Sequence, residues 1–253
     1  MTFGSLFAGV GGMDLGLERA GMECKWQVEI DPYCTKVLEK HWPGVKRYGD
    51  ITRINGAELE RVDLIAGGFP CQDVSRAGIQ RGIHGARSGL YQQMLQIVGV
   101  VRPRFVVVEN VAALLGDGLG HVLADLATRG FDAEWAILPA SVFGAPHRRD
   151  RLFLVAYSAC KWMDERSVVN SIPDKAWRKA RLGEFGGMDG ATACREAIAN
   201  VCRDDDGIPD WMDRTAARDV RGNRLKGLGN AVVPQVAEWI GRRIIEADQE
   251  RAA

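Results

Sequence analysis

Four groups of residues in this sequence have the types and spacing that chemistry needs. The first is Phe7-Ala8-Gly9-Val10-Gly11-Gly12, a glycine-rich stretch between an apolar run and a helical pattern. Glycines at such a turn let a ligand approach the backbone, and a helix N-terminus favours a ligand's negative group. Glu29 ends the second strand-like run, where a carboxylate can accept hydrogen bonds from ribose hydroxyls, and Asp50 lies where a third strand would end. The second group is Gly67-Gly68-Phe69-Pro70-Cys71-Gln72, which sets a thiol just past a strand end. The third, Val108-Glu109-Asn110-Val111, puts a carboxyl at the end of a core strand. The fourth, Arg148-Arg149-Asp150-Arg151, clusters guanidinium groups before another strand. A thiol, an acid and a guanidinium suit nucleophilic addition with charge stabilisation. Each also has a plain reading: a core cysteine, a buried acid paired to arginine, a tight turn without a ligand.

The elements that must position these groups follow from the pattern of apolar residues. Gly4 to Phe7, Lys25 to Ile30, Asp63 to Ala66, Arg104 to Val108, Phe131 to Leu138 and Leu152 to Tyr157 read as strands. The runs at 63–66 and 104–108 lack alternation, as strands buried on both faces should. Helical spacing covers Met13 to Ala20, Pro32 to Lys40, Leu90 to Val101 and His121 to Arg129. Strands alternating with helices predict an α/β doubly wound sheet, mixed but mostly parallel. For Cys71, Glu109 and Arg151 to meet in one cleft, the last strand must run antiparallel. Near the C-terminus, Val236, Ile240 and Ile244 form an i, i+4, i+8 stripe in a helix from Pro234 to Ala247, expected to pack beside the first helix.

Residues 158–224 have no clean period; Trp162, Trp177, Trp211, Pro173 and Pro209 punctuate them. The expected organisation is a catalytic domain of residues 1–156 and 225–253 with a small lobe, 157–224, inserted.

The 253 residues suffice for one large core, and 46% hydrophobic and 26% charged residues are ordinary for a globular chain. Six cysteines without a C-x-x-C pair argue against a zinc site and for a reduced, cytoplasmic protein. No apolar run reaches about 18 residues, so no membrane span is expected. The N-terminus reads as a strand rather than a signal peptide. With 33 basic and 33 acidic residues the net charge is zero, so composition does not announce a nucleic-acid partner.

Taken in order, Phe7 to Gly12, Gly68-Phe69-Pro70-Cys71-Gln72, Glu109-Asn110-Val111, Arg149-Asp150-Arg151 and Gly229-Asn230-Ala231-Val232 resemble the core motifs of the DNA cytosine C5-methyltransferase family. The resemblance spans residues 3 to about 245. It implies the class I S-adenosylmethionine-dependent methyltransferase fold and methyl transfer to carbon 5 of a cytosine flipped out of double-stranded DNA. It implies Cys71 as the nucleophile at C6, Glu109 at N3 and the exocyclic amine, Arg151 at O2, and Arg149 assisting in the same pocket. For the cofactor it implies Phe7, Ala8, Gly9, Gly11 and Gly12 around the methionine part, Glu29 on the ribose, Asp50 with Ile51 at the adenine, and Ile30 in the same pocket. Pro70, Asn230, Ala231 and Val232 complete that pocket. Gln72, Ser75, Arg76, Arg81 and Arg87 would lie on a lid touching DNA; for Arg76 and Arg81 a solvated loop is an equal reading. No metal is implied. The expected partner is double-stranded DNA, the expected state a monomer.

The chain departs from the family pattern in three places. His147 stands where glutamine is usual, the R-E-x-x-R-L-Q motif is absent between Tyr157 and Leu225, and the recognition lobe is very short. A tRNA methyltransferase of the same chemistry and a non-catalytic DNA-binding relative are the alternatives, the second opposed by the intact Cys71, Glu109 and Arg151.

Overall fold

The computed structural model describes residues 1–70, 88–116, 118–145, 147–158, 227 and 229–252. Cys71, Gln72, Ser75, Arg76, Arg81 and Arg87 lie outside the described residues, as does 159–226, nearly all of the expected lobe.

A mixed seven-stranded sheet forms the centre, in the order β3-β2-β1-β4-β5-β7-β6. Its strands are β1 (Thr2–Leu6), β2 (Glu23–Val28), β3 (Lys46–Tyr48), β4 (Leu64–Gly67), β5 (Phe105–Val111), β6 (Phe131–Pro139) and β7 (Asp150–Ser158). The strands from β3 to β5 are parallel, whereas β7 runs antiparallel to both β5 and β6. That reversal is the condition set by the sequence for a strand entrance to meet two strand exits. It pairs Val111, at the exit of β5, with Arg151, at the entrance of β7.

The helices are α1 (Gly12–Arg19), α2 (Pro32–His41), α3 (Ser88–Val101), α4 (Leu119–Ala127) and α5 (Pro234–Ala252). Asp31 caps α2, its carboxylate accepting from the amides of Tyr33 at 2.9 Å and Cys34 at 3.2 Å, with Pro32 in the first turn.

Each face of the sheet buries its own core. On one, Leu6, Ile65, Val106 and Val108 pack with Tyr91, Met94 and Val98 of α3 and Leu119, Val122 and Leu126 of α4. On the other, Phe3, Leu64, Phe105 and Val107 pack with Met13 and Leu17 of α1 and Val236, Ile240 and Ile244 of α5. The C-terminal stripe is therefore buried, as its spacing predicts. Its helix lies against α1, where a Cβ at Gly16 would come 2.4 Å from the Pro234 carbonyl oxygen. Among the described residues no helix is long and apolar enough to cross a membrane.

Candidate active site

The first wall of the site is the turn from β1 into α1. Phe7, Gly9 and Gly11 all take positive φ (56°, 58° and 84°), so the chain reverses tightly enough to start a helix at Gly12. The glycines do not share one task. A Cβ at Gly9 would meet nothing within 4 Å, whereas one at Gly11 would lie 2.4 Å from the Trp42 ring and one at Gly12 2.2 Å from the Val232 carbonyl oxygen. Gly9 thus borders open space, and Gly11 and Gly12 make room for other parts of the protein. Trp42 carried no signal in the sequence beyond its size.

Glu29 follows β2 and braces this turn. Its carboxylate accepts from the Gly9 amide and from the Asp31 amide, each at 2.7 Å. Each oxygen retains a further lone pair for a ribose hydroxyl. Ile30, beside it, is 68% exposed. A large apolar side chain left open between two carboxylates offers a face for a flat heterocycle. Asp50 accepts from the Thr52 amide at 2.9 Å and hydroxyl at 2.8 Å, bonds that hold its carboxyl below the usual carboxylate range. Ile51 is buried next to it and Pro70 is exposed. An open glycine, two hydrogen-bonding carboxylates and an exposed isoleucine along one edge fit a nucleoside with a charged tail, the shape of S-adenosylmethionine.

The second wall is the exit of β4. Phe69 is pinned on two sides: its ring meets Tyr91 of α3 at a centroid distance of 4.8 Å, and its carbonyl accepts from the Asn110 side-chain amide at 3.2 Å. The Asn110 side-chain oxygen in turn accepts from the Val111 amide at 2.8 Å. The chain entering Pro70 and Cys71 therefore starts from a fixed point, though Cys71 itself is outside the described residues.

Glu109, on β5, points toward that same exit. A Cβ at Gly68 would come 2.7 Å from Glu109 Oε2, so only glycine leaves room for the carboxyl there. Arg151 Nε lies 3.0 Å from Glu109 Oε1, with the two side chains 24% and 12% exposed. Burial raises the Glu109 carboxyl above the ordinary glutamate value, and the charges of Arg151 and Arg149 pull it back down. The pair expected to grip one ring is thus in direct contact, with Gly68 beside its carboxyl.

Arg149, expected beside Arg151 on the base, is otherwise engaged: its terminal nitrogens donate to the carbonyls of Gly229 at 2.6 Å and Ala231 at 2.7 Å. Asn230 is exposed and Val232 half-buried. His147 is exposed, with its imidazole held below its ordinary value by partial burial and the Arg149 charge.

A buried polar cluster under the turn escaped the reading of motifs. Asp14, in the first turn of α1, is fully buried and accepts from the Ser5 hydroxyl and the Gln27 side-chain amide, both at 2.9 Å. Gln27 meets Arg47 at 3.4 Å, and Arg47 donates to the Trp42 carbonyl at 2.6 Å. A signal was available in the polar residues standing inside the apolar runs of β1 and β2.

Residues 1–204 match the family of C-5 cytosine-specific DNA methylases. The chain is 31% identical to the type II methyltransferase M2.BsuMI of Bacillus subtilis (strain 168), over 95% of its own length and 74% of the relative's. It is 30% identical to the type II methyltransferase M.DsaV of Dactylococcopsis salina over 73% of its length, spanning about half, 53%, of that relative. Its fold matches the crystal structure of a DNA modification methyltransferase encoded within an E. coli prophage with a TM-score of 0.66 at 20% identity, covering 98% and 99% of the two chains. The chain belongs to the C-5 cytosine-specific DNA methylase family, whose enzymes take their methyl group from S-adenosylmethionine.

Proposed function

We propose that this chain methylates carbon 5 of a cytosine extruded from double-stranded DNA, with Cys71 as nucleophile. The observation that carries the reading is the Glu109–Arg151 pair at 3.0 Å, at the mouth of the β4 exit and kept there by the absence of a side chain at Gly68. Carbon 5 of cytosine does not attack a methyl sulfonium unaided. Addition of the Cys71 thiolate to C6 forms an S–C6 bond and makes C5 enamine-like. Electron density then moves toward N3 and O2, where the Glu109 carboxyl and the Arg151 guanidinium stabilise it. S-adenosylmethionine supplies the methyl group. Removal of the C5 proton by a base and breakage of the S–C6 bond return the thiolate and release 5-methylcytosine.

C5 and C6 are stacked inside a duplex, so the base must leave it. Gln72, Ser75, Arg76, Arg81 and Arg87, on the segment after Cys71, are proposed to contact DNA. Residues 157–224 are proposed as the recognition lobe on a catalytic domain of 1–156 and 225–253. Arg151 stays in the proposed reactive centre, and Arg149 beside it is proposed to act through its contacts with Gly229 and Ala231. Names of type II methyltransferases among the relatives support a role in a restriction-modification system.

The test is trapping on a duplex containing 5-fluorocytosine, where fluorine blocks loss of the C5 substituent and leaves the protein covalently attached. The wild type should form a denaturation-resistant complex that depends on cofactor. Cys71→Ser should form none and lose methylation, yet still bind S-adenosylhomocysteine. Methylation by Cys71→Ser at near-normal rate would remove Cys71 from this role, and methylation of tRNA but not of duplex DNA would replace the substrate.

A further inference from the structure

Arg149 lies just before β7 with φ 38°, a left-handed conformation that a non-glycine residue keeps only where its surroundings hold it. Both terminal nitrogens are committed to the carbonyls of Gly229 and Ala231, on the stretch that leads into α5. A planar guanidinium bonded to two carbonyls of one short segment fixes the path of that segment, as a single flexible ammonium would not. The remaining Nε is buried and has no hydrogen-bond partner among the described residues, so the bonds Arg149 makes there run through its two terminal nitrogens to the segment 229–231.

One residue after Ala231, the Val232 carbonyl rests on the backbone of Gly12, where a Cβ would come within 2.2 Å of its oxygen. Arg149 and Arg151 line one small cavity together with Val232 and Val233. A chain of contacts therefore runs from Arg149 through residues 229–232 to the turn that holds the cofactor.

We infer that Arg149 is a positioning residue for the cofactor: it holds residues 229–232 against the Phe7–Gly12 turn, while Arg151 alone of the two serves the base. The inference rests on the reading of that turn as the S-adenosylmethionine site. It separates two neighbouring arginines into two tasks, since Arg151 turns to Glu109 and Arg149 to the segment 229–231.

Calorimetric binding of S-adenosylhomocysteine to the full chain, with kcat and the KM for duplex DNA, tests it. Arg149→Ala should weaken binding about tenfold or more and leave the DNA KM within about threefold. Arg149→Lys keeps the charge but bridges fewer carbonyls, and should fall between. Gly12→Ala presses on the Val232 oxygen from the opposite side and should also weaken binding. The double variant should then bind no worse than the weaker single variant, because both changes act through one contact. Unchanged binding in Arg149→Ala with a loss confined to kcat or the DNA KM would overturn the assignment, as would losses that multiply in the double variant. If Arg149→Ala does not fold, Arg149→Lys, Gly12→Ala and their combination give the same comparison. Binding is measured without DNA, so a protein that binds S-adenosylhomocysteine and methylates no DNA would refute the proposed function and leave this inference standing.

Discussion

The Glu109–Arg151 pair joins two demands that usually conflict, a mostly buried acid and, in the proposed reaction, a charge kept available for a substrate. Removing either partner has a different effect. Glu109→Gln keeps the volume and a hydrogen-bonding edge without the charge, so it should lower the methylation rate about 100-fold while the protein stays folded. Arg151→Ala strips the compensating cation from a carboxyl that is 12% exposed, and should cost about 2 kcal/mol in urea unfolding besides its catalytic loss. The Arg151 charge is what holds the Glu109 carboxyl down against burial. Without it the folded-state value rises further, and the variant's stability should fall as pH rises through that value. Equal stability losses in the two variants at neutral pH would contradict this account.

Among the elements, the exit of β4 matters most, because the segment of the proposed nucleophile begins there. Asn110 is 3% exposed and spends both ends of its amide on backbone, donating to the Phe69 carbonyl and accepting from the Val111 amide. Asn110→Ala leaves two buried polar groups without these partners and should cost about 1–2 kcal/mol. It should also slow methylation, because the chain entering Cys71 loses one of its two fixed points. Asn110→Asp, which still accepts from Val111 but cannot donate to Phe69, separates the two bonds. If both variants methylate at the wild-type rate, the brace has no part in placing the nucleophile.

Across the molecule, the Asp14 cluster ties β1, β2 and α1 together and reaches through Gln27 to Arg47 beside β3 and the end of α2. Burial pushes the Asp14 carboxyl up from 3.8 to about 6, against the lowering effect of its bonds to Gln27 and Ser5. The folded state therefore holds this proton up to about pH 6, whereas the unfolded chain releases it near 3.8. Between those values the folded state binds more protons, so stability falls as pH rises across the interval and is level above it. Asp14→Asn removes the titration. Wild type should lose about 1 kcal/mol between pH 5 and pH 7 relative to that variant, read from paired urea curves at the two values. Parallel pH profiles for the two proteins would show that Asp14 keeps its charge throughout.

By itself the sequence determined the layout. Unbroken β-branched runs marked the strands buried on both faces, the stripe of Val236, Ile240 and Ile244 marked the returning helix, and five ordered motifs marked where chemistry sits. These are local properties, since periodicity and turn chemistry act between residues a few positions apart. Only the tertiary structure decided which glycines border open space and which face protein: Gly9 is open, while Trp42 fills the space at Gly11 and Val232 the space at Gly12. It likewise split Arg149 from Arg151, two residues apart in sequence yet bonded to segments 80 positions downstream and to β5 upstream. The Asp14 cluster stayed hidden for the same reason. A buried polar residue declares itself only through its partners, and those partners come from strands and helices that meet when the chain is folded.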